Sequence, residues 1–174
     1  MPEEWTEDTP KAKHKLAQKD TDARWTKKNN ETHYGYKNHA KVDVDSKIIT
    51  DYSVTDASVH DSRRFTGFFN EKDKVAYADS AYAGQEIPEH IEAQICEKGY
   101  RNHPLTEEQK QNNRRKSKIR CRIEHVFGFM TGSMHEITVR TIGIKRTAFN
   151  IRLTNLIYNI FRYSTIKRKA HSIG

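Results

Sequence analysis

Two carboxylates and one arginine stand out in this chain as groups able to do chemistry together. Asp79 ends a short apolar-leaning run, Lys74 to Ala78, the pattern of an inner strand that delivers a carboxylate at its C-terminal end. Glu124 lies inside a long helical segment, sharing a helix face with Ser117, Arg120, Cys121, Gly128 and Thr131. Should that helix bring Glu124 to Asp79, two hard oxygen donors converge, the kind that hold Mg²⁺ or Mn²⁺ and leave positions for water and phosphate. Either acid alone reads equally as an exposed side chain, the usual state of Asp and Glu, and spacing leaves both readings open. Arg120, four residues before Glu124, can pair with it on an exposed helix or contact a DNA phosphate beside the metal.

Around Arg120 the sequence is densely basic. Arg114, Arg115, Lys116, Lys118, Arg120 and Arg122 are six basic residues in nine, with no acid among them, more than a solvated helix face requires. We read this as a phosphate-binding surface, indifferent to base sequence and sensitive to salt. The whole chain agrees: 31 Lys and Arg against 23 Asp and Glu leave a formal charge of +8, which suits a polyanionic partner. His33, His39, His60, His125 and His135 lack the spacing of a zinc site, and the two cysteines, Cys96 and Cys121, are not a close pair. No glycine-rich phosphate loop is present.

The elements that position these residues follow from periodicity. The first 24 residues are charged and contain Pro2 and Pro10, so they are expected to form a linker or tail. His33 to Asp45 alternates, with Tyr34, Tyr36, Ala40, Val42 and Val44 on one side and His33, Lys37, His39, Lys41 and Asp43 on the other. With Lys47 to Val54 it should form an antiparallel hairpin whose outer face carries Lys37 and His39, and whose Tyr34 and Tyr36 pack inward. Asp61-Ser62 should cap a short helix to about Asn70, its Phe65, Phe68 and Phe69 covering a sheet face. A helix from Gly84 or Pro88, a brief strand over 94–96, and a capping box at Thr106 and Gln109 come next.

The segment from Glu107 to Met130 places Ile119, Ile123, Val126, Phe127 and Met130 in one stripe. Val139 to Ile144 is strand or loop, and Phe149, Leu153, Leu156, Ile157 and Ile160 predict a second amphipathic helix that closes the domain with its apolar face inward. Basic residues 166–174 are expected to fray as a flexible tail. There is no internal repeat, no apolar run long enough to span a membrane and no signal-peptide pattern, so the expectation is a soluble, cytoplasmic protein.

Several strings then become specific. Asp22-Ala23-Arg24-Trp25-Thr26, Tyr34-Gly35-Tyr36-Lys37-Asn38-His39, Val54-Thr55-Asp56-Ala57-Ser58-Val59-His60-Asp61-Ser62, Ala78-Asp79-Ser80-Ala81-Tyr82 and Arg122-Ile123-Glu124-His125-Val126-Phe127-Gly128 occur in that order. Together they resemble the C-terminal catalytic part of DDE transposases of bacterial insertion-sequence family five, over residues 1 to 165. The resemblance implies an α+β, RNase H-like mixed sheet flanked by helices, in which two Asp and one Glu bind two divalent ions, Mg²⁺ or Mn²⁺. It makes Asp79 the second Asp and Glu124 the Glu, both catalytic and both metal ligands, and Arg120 the Arg four residues before the Glu. It also implies a nucleoid-associated protein whose partners are transposon ends and target DNA.

The sequence departs from that pattern in three places. Ser117 and Thr131 stand where the signature has Tyr and Lys. The family's first Asp lies on the opening strand of the sheet, upstream of the segment resembling residues 1 to 24, and Asp8, Asp20 and Asp22 occupy polar, non-strand sequence. The family's N-terminal DNA-binding region has no counterpart either. The expectation is thus a partial catalytic domain over residues 25–165, inactive alone, missing the opening strand. The alternatives are a non-catalytic DNA-binding or regulatory fragment, and half of a split enzyme completed by an upstream reading frame; the partners expected besides DNA are a second copy of the chain or an upstream transposase fragment.

Overall fold

The computed structural model describes residues 18–28, 30–135 and 140–172. In order, the chain forms β1 (Arg24–Lys28), β2 (Glu31–Val42), β3 (Ile49–Asp56), a single-turn helix α1 (Ser62–Phe65) continued by a 3-10 turn over Thr66–Phe68, and β4 (Val75–Ala78). A 3-10 turn (Ser80–Tyr82), β5 (Glu92–Ile95) and two long helices, α2 (Glu107–Gly132) and α3 (Ile144–His171), complete it.

This is an α+β arrangement, but the strands do not make the expected single sheet. β1, β2 and β3 form an antiparallel sheet in that order, while β4 and β5 pair separately and in parallel. The first half of β2 pairs with β1 and the second half with β3, Ala40 standing opposite Tyr52. β1 falls partly in the segment expected to be linker. Its one large apolar residue, Trp25, stacks on Tyr34 of β2 at 4.8 Å, a cross-strand pair that residue-by-residue polarity hides. Tyr34 is therefore exposed rather than inward, and Tyr36 turns its hydroxyl to Asp20 at 2.6 Å.

The alternation of β2 is otherwise as expected on its apolar side. Ala40 and Val42 pack with Tyr52 against a small core of Ile49, Val126, Met130 and Tyr158. No helix forms near Gly84 or Pro88, where the chain turns instead; Gly84 takes a φ of +83°, which suits glycine, and Pro88 has no amide hydrogen to give a helix. The Thr106–Gln109 capping box is present with both of its hydrogen bonds. Part of the Val139 to Ile144 segment lies outside the described residues, and Ile144 opens α3.

The largest correction concerns α3. Its predicted apolar stripe faces away from the sheet: Phe149, Leu153, Leu156 and Ile160 are all exposed, while Thr147, Asn155 and Tyr158 are buried. The hairpin presents main-chain groups to α3, and buried main-chain groups must be hydrogen-bonded. Asn159 accepts from the Ile49 N–H and donates to the Ile49 carbonyl, both at 2.9 Å, and the Tyr158 hydroxyl donates to the Lys47 carbonyl. Asn155 pairs with Asn38 of β2 at 2.8 Å. A helix cannot turn two opposite faces to one sheet, so the polar contacts exclude the apolar stripe. The helix also continues through Lys167, Arg168 and Lys169 to His171, where a tail was expected.

We expect Asn159→Ala, which strands both main-chain groups of Ile49, to cost about 1 to 3 kcal/mol, and Leu153→Ala to stay within about 0.5 kcal/mol. Urea denaturation of the two variants checks this; equal losses would mean that the apolar face of α3 is covered.

Candidate metal centre and nucleic-acid interface

Asp79 follows β4 directly and caps the 3-10 turn, its Oδ1 accepting from the Ala81 N–H at 2.8 Å. The flanking Ala76 and Ala78 are buried, so small side chains anchor the strand and leave the acid at its end. Helix α2 is fastened beside this point by contacts to the end of β5. Lys116 Nζ donates to the Ile95 carbonyl at 2.8 Å, Ser117 Oγ lies 3.8 Å from Cys96 Sγ, and the Asn113 carboxamide brackets the Glu97 main chain with two bonds of 2.9 Å.

One turn further along α2, Arg120 Nη2 lies 3.1 Å from Glu124 Oε1. The helical pair read as one option for Arg120 is therefore formed, with Glu124 more than half exposed and Arg120 mostly covered. Tyr82 marks the shared neighbourhood of these groups. Burial pushes its phenol up to about 12, helped by the negative charges of Asp61 and Asp79 and opposed by Arg120. Phe65 packs on the same ring at 4.6 Å. The charges of Asp61, Asp79 and Arg120 thus all act on one phenol. Among the described residues no group of three or more His, Cys, Asp or Glu is placed to hold a metal ion. Asp20 and Asp22 serve instead at the start of α3, accepting from the N–H groups of Gly143 (3.2 Å) and Ile144 (2.9 Å).

Two groups beside this neighbourhood escape a reading by periodicity. His39, assigned to an exposed hairpin face, is 7% exposed; its Nδ1 lies 3.1 Å from Asp61 Oδ1 and its Nε2 2.8 Å from Thr55 Oγ1. Lys37 donates to the Val59 carbonyl at 2.9 Å and sits 3.9 Å from Asp61. Both are thus engaged by the chain itself. The segment after β3 folds back over that face, and Lys41 Nζ reaches the Phe68 carbonyl at 2.9 Å. The bond from His39, with the charge of Lys37, holds Asp61 below the usual carboxylate range despite the opposing effect of burial. The motif string from Val54 to Ser62 contained Asp61, but nothing in strand alternation shows that it returns to β2.

The six basic residues from Arg114 to Arg122 divide evenly. Lys116 and Arg120 are committed as described, and Arg122 donates through Nη1 to the Val44 carbonyl and lies 3.7 Å from Asp45. The side chains of Arg114, Arg115 and Lys118 make no hydrogen bond or ion pair among the described residues, and all three residues are exposed. Arg114 and Lys118, with Lys110, border a shallow groove that also includes Asn113 and Ser117.

Residues 8–160 match the family described as the transposase DDE domain, and the chain belongs to that family. Among curated proteins it is similar to the transposase for insertion sequence element IS1106 of Neisseria meningitidis serogroup B, 29% identical over 151 residues. That stretch is 83% of this chain and 52% of the relative, so the chain spans about half the length of the curated transposase it matches. No solved structure matches it. No helix among the described residues is long and apolar enough to cross a membrane.

The depressed Asp61 acidity has a definite sign. Its folded value lies below the ordinary one, so the stabilisation is complete above about pH 4 and is lost as pH falls through the folded value. Thermal melts from neutral pH downward should show a shallower acid limb in Asp61→Asn than in the parent; identical limbs would remove Asp61 from the account.

Proposed function

We propose that Asp79 and Glu124 are two acids of a divalent-metal centre that cleaves and joins DNA strands in transposition. They sit on an RNase H-like domain of the insertion-sequence family-five type. The observation that carries this reading is Asp79 at the C-terminal end of β4, which is paired with β5, together with the Arg120 guanidinium that holds Glu124 on α2. Membership of the DDE-domain family supports it. Hard carboxylate oxygens suit Mg²⁺ or Mn²⁺. Asp79 keeps one oxygen beyond its capping bond, and Glu124 is exposed enough to turn from Arg120. Two carboxylates fit one ion with water completing its shell, but they do not fit two ions, which require a bridging acid that the described residues do not offer.

When bound, such an ion activates a water or 3′-hydroxyl and stabilises the leaving oxygen of a phosphodiester. The work of the chain itself is narrower. Asp79 and Glu124 supply negative oxygens, Arg120 orients Glu124 or meets a phosphate, and Arg114, Arg115 and Lys118 hold the DNA backbone. We infer that these 174 residues are inactive in strand cleavage by themselves and bind DNA, acting in the cytoplasm on the nucleoid. A second reading, an enzyme completed by another polypeptide, is favoured by the absence of a third ligand among the described residues.

Purified protein should not nick supercoiled plasmid in Mg²⁺. Nicking that disappears in Asp79→Ala would overturn the inference of inactivity while upholding the centre. DNA binding, followed by mobility shift across a salt series, should persist in Glu124→Gln. In Arg114→Ala or Lys118→Ala the slope of log affinity against log salt should fall by about one each. An unchanged slope would remove α2 from the interface.

A further inference from the structure

We propose that Tyr100 is a stacking platform for an unpaired base of the DNA whose backbone lies along α2. This deepens the DNA-binding reading above and rests on it. Three observations carry the proposal. The first is an exposed ring on a tied-down chain. Tyr100 is 66% exposed, more than any other large apolar side chain among the described residues, and no other ring packs on it there. Yet the connection that carries it, residues 97–106 between β5 and α2, is held at several points. Tyr100 and His103 exchange main-chain hydrogen bonds of 3.0 and 3.1 Å around the turn at Arg101 and Asn102. Leu105 lies so close to Gly99 that a Cβ there would stand 3.3 Å from its Cγ. Asn113 holds the Glu97 main chain, and Gln109 Nε2 donates to the Glu97 carboxylate at 2.6 Å. The backbone has thus already given up the freedom that binding would otherwise cost, while the ring it presents stays in water.

The second observation is charge. From Lys98 to Thr106 the chain carries Lys98, Arg101 and His103 and no acid. The nearest acids on either side are engaged, Glu97 by Gln109 and Glu107 by Lys110 at 2.7 Å. Lys98 Nζ stands 5.8 Å from the centre of the Tyr100 ring, within cation–π reach. Single-stranded nucleic acid is held by this combination: cations follow the backbone, and an aromatic face takes a base.

The third is position. Cys96, just past β5, donates its N–H to the Ala78 carbonyl at 3.0 Å, so the connection leaves the strands at the end where Asp79 lies. Leu105, near its other end, borders the groove of Arg114 and Lys118. Tyr100 therefore stands on the segment that joins the Asp79 end of the β4–β5 pair to the exposed cations of α2. In a duplex each base face is covered by its neighbours, so the ring takes only a base that has left the stack, at a single-stranded tail or an opened end. Every base has such a face, which makes the contact indifferent to sequence, and it adds no phosphate contact.

The test compares a blunt duplex with the same duplex ending in a single-stranded tail of adenines, each titrated against the full 174-residue protein. Tyr100→Ala should weaken binding of the tailed duplex about 5- to 150-fold and of the blunt one less than about twofold. The salt slope should stay unchanged on both, and Tyr100→Phe should keep the affinity for the tail. A direct readout is NMR of the tyrosine rings, with Tyr100 assigned through Tyr100→Phe: its ring signals should move upfield with the tailed duplex and stay in place with the blunt one. Equal losses on both duplexes, a Phe variant as weak as the Ala variant, or unmoved ring signals would overturn the platform. Blunt-duplex binding that persists with no Tyr100-dependent gain from the tail sinks the platform and leaves the DNA surface standing. Absence of salt-dependent binding to either duplex sinks the DNA surface itself, and the platform with it.

Discussion

Side-chain amides that seize the main chain of a strand hold this molecule together. Asn159 takes both main-chain groups of Ile49 at the start of β3, and Asn113 does the same to Glu97 just beyond β5. Asn38 and Asn155 join β2 to α3 between them. The apolar core is small, centred on Ile49, Val126, Met130 and Tyr158, and these bonds set the rotation of each long helix about its axis. That rotation decides which residues reach the site. It turns Ser117 on α2 towards Cys96 and leaves the apolar stripe of α3 outside.

Charge is used twice on α2, and the two uses compete for the same residues. Lys116 and Arg122 spend their donors on Ile95, Val44 and Asp45, fastening the helix to the sheet region, and Arg120 spends its own on Glu124 of the same helix. Arg114, Arg115 and Lys118 stay in solvent, where a polyanion meets them without first breaking internal bonds. A basic run therefore overstates a nucleic-acid surface when part of it serves the fold. Arg120 of that first group also holds Glu124, so the candidate interface and one of the two acids belong to one helix.

Legibility differed sharply from element to element. β2, the hairpin, β4 and α2 with its capping box were readable because each is a local pattern: alternation of two, a strand-to-acid transition, a Thr and Gln three residues apart. α3 was readable as a helix but not in orientation, since its apolar stripe is real and merely turned away. Asp79 and Glu124 stand out in the sequence by their setting, whereas the pairing of Asp61 with His39 does not, because His39 sits on the strand face that alternation assigns to water. Burial there comes from a return of the chain after β3, a long-range event with no periodic signature.

By itself the sequence determined the secondary structure around both acids, the excess of positive charge, and the order of motifs that places the chain among DDE-domain transposases. Those properties are local or compositional, so no knowledge of distant contacts is needed to find them. Only the tertiary structure decided that the strands divide into two sheets, that Lys116, Arg120 and Arg122 are engaged within the fold, and that the charges of Asp79, Asp61 and Arg120 act on one half-buried phenol. The reason is that hydrogen-bond demand by strand backbone outweighs the preference of an apolar stripe for the interior, and that demand appears only once the strands have been placed.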